Sequence, residues 1–124
     1  MARKPSKTLT DGELRIMEVL WTKKTASVRD VCDVLNEKDD VAYNTVQTMM
    51  RILEDKNYLS HHKEGRAFVY TPVVDQRSAR SSALKHFLGS FFDGSPKALV
   101  QNLIEDENID KMEIDRLRKL LEEQ

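Results

Sequence analysis

The sequence is poor in cysteine and histidine, the residues that form disulfides and many metal sites. Only one of its 124 residues is a cysteine, Cys32, which excludes a disulfide within the chain and fits a reducing compartment. The histidines His61, His62 and His86 lack zinc spacing, and adjacent residues on a strand point to opposite faces. We therefore expect no metal site, and we interpret Cys32 as a small core residue.

Long apolar runs and catalytic motifs are missing as well. No stretch of about 18 apolar residues occurs, so we expect no membrane-spanning segment. The basic N-terminus is not followed by the apolar region of a secretory signal. Nucleotide-binding glycine loops and the motifs of metalloproteases and serine hydrolases are also absent. These absences predict a cytoplasmic protein that is not an enzyme and uses no cofactor.

The composition is that of a globular protein, with 40% hydrophobic and 33% charged residues. The net charge is only −1, but it is unevenly distributed. Residues 1–82 carry 14 lysines and arginines against 12 acids, whereas residues 83–124 carry 6 against 9. A mildly basic N-terminal part and an acidic C-terminal part are compatible with a two-part protein that binds an anion through one of the parts.

Helix-start signals divide the first half of the chain. Thr10 and Glu13 form a capping-box pattern before an apolar stripe, and Ser27 and Asp30 repeat the pattern before a second stripe. A third stripe ends at Asn57, a residue type that can adopt the left-handed conformation beyond a helix. The predicted helices span about residues 11–22, 28–36 and 44–56.

A turn with strand-forming residues on both sides follows the third helix. Glu64 and Gly65 lie between Tyr58–His62 and Phe68–Thr71, and Pro72 ends the second run, so the pattern predicts a β-hairpin. Three short helices followed by a hairpin is the order of a winged helix-turn-helix. In that motif the third helix enters the major groove and the hairpin is the wing. We therefore predict a mainly α fold (α+β) with a small β-hairpin wing.

The third helix carries an unusual polar face opposite an apolar one. Amide side chains can bind adenine, arginine can bind guanine, and the threonine methyl can contact the thymine methyl. No acid that would repel phosphate occurs on this face before Glu54. We interpret the face as base-reading; a solvated face without glutamate and lysine is the alternative. Its members are Asn44, Gln47, Thr48 and Arg51, opposite Val46, Met49, Met50 and Leu53.

Other residues extend the predicted DNA-binding surface. Ser27 and Arg29 lie at the start of the second helix, where free N–H groups bind phosphate, although Ser27 is equally suited to be a plain N-cap. Lys63 and Arg66 flank the wing turn. Such a basic tip would reach the DNA backbone or the minor groove; a solvated turn without DNA contact is the alternative. The predicted DNA-binding residues are Ser27, Arg29, Tyr43, Asn44, Thr45, Gln47, Thr48, Arg51, Lys63 and Arg66.

Three further amphipathic helices follow Pro72. Asp75, Ser95 with Pro96, and Asp110 mark their starts. The predicted helices span about residues 76–92, 96–105 and 111–123. Three short helices bury little on their own, so a second copy of the chain is the simplest cover for their apolar faces. We therefore predict a winged-helix DNA-binding domain at residues 1–72 and a three-helix dimerisation domain at residues 73–124. The predicted dimer interface consists of Leu84, Phe87, Leu88, Phe91, Leu99, Leu103, Ile114, Leu117, Leu120 and Leu121.

Five segments of the chain form a recognisable series: LTDGELRIMEVLW, SVRDV, AYNTVQTMMRILEDK, KEGRAFVYTPVV and GSPKALVQNLIEDENI. Together they resemble the penicillinase and methicillin-resistance repressors, the BlaI/MecI family, and the resemblance extends from Leu9 to Leu121. It implies a cytoplasmic bacterial repressor with an N-terminal winged helix and a C-terminal three-helix dimerisation domain. It further implies a homodimer that occupies a palindromic double-stranded DNA operator.

The resemblance also implies how repression ends. In this family a membrane sensor with a metalloprotease domain responds to a β-lactam, and the repressor is cut within its dimerisation domain. The family's Asn-Phe cleavage bond aligns with Asn102–Leu103, where leucine replaces phenylalanine. The C-terminus lacks the cysteine-rich motif of related copper-responsive repressors. Two alternatives stay open: a winged-helix regulator gated by a small ligand, and a winged-helix module that binds only protein.

Overall fold

The structure is a computed structural model that describes residues 8–122, apart from the side chain of Leu121. Its helices are α1 (Asp11–Lys23), α2 (Val28–Leu35), α3 (Tyr43–Asp55), α4 (Gln76–Phe91), α5 (Pro96–Glu105) and α6 (Lys111–Glu122). Its strands are β1 (Ala26–Ser27), β2 (Leu59–Glu64) and β3 (Ala67–Pro72). The predicted mainly α fold with a small β-hairpin is confirmed, and each predicted helix ends within one residue of its observed bounds.

Both predicted capping boxes are present. Glu13 N donates to Thr10 Oγ1 at 3.2 Å, and Thr10 N donates to Glu13 Oε1 at 2.8 Å. Ser27 and Asp30 form the same reciprocal pair at the start of α2, with both distances 3.1 Å. These bonds satisfy N–H groups that have no partner inside a helix, and they fix where α1 and α2 begin.

The sheet joins the wing to the start of α2. Its strand order is β1-β3-β2, and both pairings are antiparallel. Ala26 pairs with Tyr70 in β3, a contact that the sequence did not predict. Gly65 closes the β2–β3 turn with φ of 64°, a left-handed conformation that favours glycine. Asn57 has φ of 68° between α3 and β2, as predicted.

The core of the first unit lies between the three N-terminal helices and the hairpin. Tyr58, Leu59 and Tyr70 close it from the hairpin side. Cys32 is buried in it, which confirms its interpretation as a core residue. Because one face of α3 packs into this core, the opposite face of the helix is directed toward solvent. The fully buried side chains are Ile16, Met17, Leu20, Val31, Val46, Met50 and Leu53.

The chain forms two compact units, the first ending at Ala83 and the second beginning at Leu84. The sequence predicts a domain boundary earlier, after Pro72. The structure continues the first unit into α4 because Ala79 belongs to its core. Trp21 Nε1 also donates to Val74 O at 2.9 Å. The assignment of DNA binding and dimerisation to separate domains stays a prediction. Within residues 8–122, no helix has the length and apolar character needed to cross a membrane.

Candidate nucleic-acid interface

The polar face of α3 is available to a ligand. Asn44, Thr48 and Arg51 are exposed, and Gln47 is half-buried. On the opposite face Val46, Met50 and Leu53 are fully buried, so the helix cannot rotate without exposing its core contacts. The core therefore fixes the direction in which these polar groups point, which is the requirement for a surface that reads base edges.

The first turn of α3 lies beside the start of α2. The guanidinium carbon of Arg29 lies 5.9 Å from the centre of the Tyr43 ring, a cation–π distance. Tyr43 and the neighbouring Thr45 are exposed. The N-cap residue of α3, Ala42, offers no side-chain hydrogen bond to the first turn. The structure thus brings two predicted DNA-binding residues from different helices, Arg29 and Tyr43, into one exposed group.

Ser27 is the N-cap of α2, which is the simpler of the two interpretations open to the sequence. Its backbone N–H donates to the Asp30 carboxylate, and its hydroxyl accepts from Asp30 N. These hydrogen bonds hold the pKa of Asp30 below its ordinary value. The ionised Asp30 carboxylate therefore accepts the hydrogen bond from the Ser27 N–H, a donor that would otherwise be available to a phosphate. A DNA contact by Ser27 stays a prediction, and Arg29 is the exposed cation at this helix start.

Asn36 fixes the turn between α2 and α3, and the sequence analysis missed it. Its Oδ1 accepts from Val41 N at 2.8 Å, and its Nδ2 donates to Cys32 O at 2.8 Å and to Val41 O at 3.0 Å. One side chain therefore satisfies backbone groups on both sides of the turn between the two helices. Asparagine just beyond a helix is a general signal for such bonding, so the sequence contained a usable indication.

The wing places two cations at its tip. Lys63 and Arg66 are both exposed; Lys63 lies near the end of β2, and Arg66 lies in the turn itself, after Gly65. Lys63 Nζ lies 5.5 Å from the centre of the Phe68 ring, the cross-strand partner of Lys63. This contact directs the lysine along one face of the hairpin. Burial raises the pKa of Tyr70 on that hairpin, and the nearby Glu54 carboxylate raises it further.

The predicted dimer residues lie in the second unit, and most of them are at least partly exposed. Phe91 is 73% exposed and Leu120 is 58% exposed, whereas Leu88 is buried by its own chain. The side chain of Leu121 lies outside the part that the structure describes. An apolar groove of about 290 Å³ runs between α5 and α6. Its lining residues are Val100, Leu103, Ile104, Ile114, Leu117, Arg118 and Leu120.

The bond between Asn102 and Leu103 lies inside α5. Asn102 is exposed, and Leu103 is half-buried where it lines the apolar groove. The backbone on both sides of the bond is helical, and the bond lies in the last turn of α5, where the final carbonyl groups have no partner within the helix. A protease reaches this bond only after local unwinding, which costs little for a helix of ten residues.

Comparison with known proteins covers almost the whole chain. The family model described as penicillinase repressor matches residues 9–123. The penicillinase repressor of Bacillus licheniformis is 35% identical over 115 residues, which cover 93% of this chain and 90% of that protein. The methicillin resistance regulatory protein MecI of Staphylococcus aureus (strain N315) is 26% identical over 113 residues, covering 91% and 92% of the two chains.

Two solved structures resemble part of the chain. One is the solution structure of the DNA-binding domain of the repressor BlaI, with 37% identity and a TM-score of 0.53. The other is the Bacillus licheniformis BlaI monomeric form in complex with the blaP half-operator, with 37% identity and a TM-score of 0.50. Each match covers 63% of this chain and 93% of the other. The winged-helix prediction is confirmed, and the chain belongs to the penicillinase repressor family.

Proposed function

We propose that this protein is a transcriptional repressor that binds a palindromic operator as a homodimer, with α3 of each protomer in the major groove. The exposed stripe of amide, hydroxyl and guanidinium groups on α3 carries this proposal. Its orientation is fixed by the buried side chains behind it. The BlaI relative that was solved with a half-operator supports a DNA contact by the matching part of the chain.

The contacts divide into base reading and phosphate positioning. Gln47, Thr48 and Arg51 lie on the stripe and are suited to base edges. Arg29 lies at the start of α2 and Lys63 lies on the wing, and both exposed cations are suited to phosphates. Only four of the proposed contact residues are cations, Arg29, Arg51, Lys63 and Arg66, so one unit alone should bind weakly and with a shallow salt dependence.

Dimerisation compensates for this weak binding. The apolar groove of the second unit and the exposed residues beside it support a second copy of the chain as its cover. Two winged-helix units tethered in one dimer make the second half-site contact intramolecular, which gains about 10²-fold or more in avidity. Operator occupancy should therefore depend on a part of the protein that does not touch DNA.

Proteolysis is the release mechanism that we propose, at the Asn102–Leu103 bond. Of the residues that line the apolar groove, only Val100 lies before this bond. A cut would therefore remove nearly all of the apolar surface of the groove from the chain that carries the winged helix. The partner that we propose is the membrane sensor with a metalloprotease domain that the family resemblance implies. The repressor itself would act in the cytoplasm, where the operator DNA is.

Selection from a random duplex pool tests this function. The full chain should enrich a two-fold symmetric sequence whose half-sites are about 10 base pairs apart, or a multiple of that spacing. A duplex with one half-site should bind at least about tenfold more weakly than the symmetric duplex at the same salt concentration. A scrambled duplex of equal length is the control. Equal binding to one and two half-sites would contradict the dimer, and no enrichment would contradict DNA recognition.

A further inference from the structure

A histidine on the wing forms a hydrogen bond with a carboxylate of α3. His61 Nδ1 in β2 lies 2.6 Å from Oε1 and 2.9 Å from Oε2 of Glu54, in the last turn of α3. About a third of each side chain is exposed, 36% for His61 and 33% for Glu54. This pair connects the two elements that are proposed to contact DNA, and the DNA-binding residues assigned above do not include it.

Aromatic side chains hold the His61 ring in place. Its centre lies 4.8 Å from that of Phe68 in an edge-on arrangement, and 5.5 Å from that of Tyr70, its cross-strand partner. Lys63 projects from the same face of the hairpin, since it also contacts Phe68. The imidazole is therefore fixed at the joint between wing and helix, next to a proposed phosphate contact.

Glu54 has a second potential partner in Arg51, three residues earlier on the same helix. Residues at this spacing meet on a helix surface, and Glu113 and Arg116 in α6 form such a pair at 2.7 Å. Arg51 makes no ion pair with any residue that the structure describes. Glu54 instead accepts from His61. The other titratable or charged groups around the joint are Arg51 and Tyr43 from α3, Lys63 from β2 and Tyr70 from β3.

We propose that His61 is a positioning residue that holds Glu54 on the wing side, leaves Arg51 free for DNA, and makes operator binding depend on pH. This inference rests on the proposed operator binding and adds a regulatory step to it.

The charge of the imidazole determines how strongly Glu54 is held. Histidine changes charge between about pH 5 and pH 8, and a protonated imidazole binds a carboxylate more strongly than a neutral one. When the imidazole is protonated, the pair is neutral overall, and the Arg51 guanidinium is available to a base. When the imidazole is neutral, the joint carries the negative charge of Glu54, which repels phosphate and competes for Arg51. Operator affinity should therefore fall as the pH rises.

Operator affinity measured at pH 6 and pH 8 with four variants tests this inference. The wild type should lose roughly fivefold or more over this interval, the lower end of common coupling between two sites. His61→Gln should bind at both pH values as the wild type binds at pH 8. His61→Arg keeps a cation that can stack on the aromatic rings, and it should bind at both pH values as the wild type binds at pH 6. Glu54→Gln should bind more tightly than the wild type at pH 8, because it removes the carboxylate that competes for Arg51.

The Glu54→Gln result separates positioning from a merely structural role. If the pair only held the wing in place, removing the carboxylate would weaken operator binding at every pH. His62→Gln is the matched control, because His62 lies on the same strand but pairs with Glu64 at 3.1 Å. It should keep the wild-type pH response. An equal pH response in the wild type and His61→Gln would overturn the inference while leaving the proposed function intact. Absence of operator binding at either pH would overturn both.

Discussion

Lys56 and Glu13 form a buried ion pair between the end of α3 and the start of α1. Lys56 Nζ lies 2.7 Å from Glu13 Oε1, and the two side chains are only 7% and 4% exposed. Lys56 Nζ also donates to Thr8 O at 3.0 Å. Glu13 thus closes the capping box of α1 and anchors the end of α3 at the same time. The pair couples a local helix signal to the orientation of the polar face of α3.

Lys56→Met should destabilise the winged-helix unit by about 3–5 kcal/mol, because the Glu13 carboxylate is left buried without a counter-ion. Urea unfolding followed by Trp21 fluorescence measures this, since the chain contains one tryptophan, in the core region of this unit. Lys38→Met, at an exposed lysine of the same unit, should change the stability by less than about 0.5 kcal/mol. Adding Glu13→Gln to Lys56→Met should recover part of the loss; equal stability of Lys56→Met and wild type would refute the anchoring role.

The same pair predicts how stability depends on pH. Burial raises the pKa of Glu13, but hydrogen bonds from Lys56 and Thr10 and the Lys56 charge outweigh burial, so the pKa lies below its ordinary value of 4.5. A lowered folded-state pKa adds stability that is present above pH 4.5 and is lost as the pH falls through the folded-state value. Urea midpoints should therefore fall from about pH 5 to about pH 3. The fall should be smaller in Lys56→Met; an equal fall in both proteins would assign it to other carboxylates.

Local signals were sufficient to predict most of the fold. The capping boxes at Thr10 and Ser27 gave the starts of α1 and α2, and Ser95 followed by Pro96 gave the start of α5. Asn57 marked the end of α3, and Gly65 marked the wing turn. Each signal involves hydrogen bonds or backbone conformations within a few residues, so one stretch of sequence contains all the information that it needs.

Long-range pairings account for what the sequence did not predict. Strand β1 has two residues, too few for a pattern, and it exists only because Tyr70 and Val69 pair with it. Glu13 and Lys56 are 43 residues apart, so nothing in the sequence indicates that they meet. His61 was considered only as a metal ligand, because its contact with Glu54 depends on the angle between α3 and the wing. The DNA-binding and dimer residues stay predictions that the following experiments address.

Arg51→Ala should cost about 1–3 kcal/mol of operator binding and relax the preference at one base position in each half-site. The reason is that a bidentate guanidinium contact to guanine is lost at that position. Lys63→Ala is the matched cation control, and it should weaken operator and scrambled duplex about equally while flattening the salt dependence. Fluorescence titrations at several salt concentrations measure both. Equal losses on the two duplexes for Arg51→Ala would place Arg51 on the phosphate backbone instead.

Charged residues on the exposed apolar face of α6 should separate the dimer. Leu117 and Leu120 are 42% and 58% exposed in the single chain, so Leu117→Glu with Leu120→Glu should leave each protomer folded. Burying two carboxylates at an apolar interface is unfavourable, and analytical ultracentrifugation at micromolar concentration should show a monomer. Lys119→Glu with Arg116→Glu also places two carboxylates on this helix, with a larger change of net charge, but at polar positions, and it should remain a dimer. A dimeric leucine double variant would place the interface elsewhere.

A chain that ends at Asn102 should keep its winged helix and lose operator affinity by at least about tenfold, because the avidity of two tethered units is gone. The core of the first unit is built from residues up to Ala79, so the truncation removes none of it. Circular dichroism should lose only the helical signal of the missing C-terminal segment, and the Trp21 unfolding transition should keep its urea midpoint. Gel shifts with the symmetric duplex measure the affinity. A leucine zipper attached after Asn102 joins two truncated chains into a dimer and should restore tight binding. This result distinguishes lost dimerisation from a damaged DNA-binding surface. A truncated chain that binds as tightly as the full one would exclude dimer disruption as the switch.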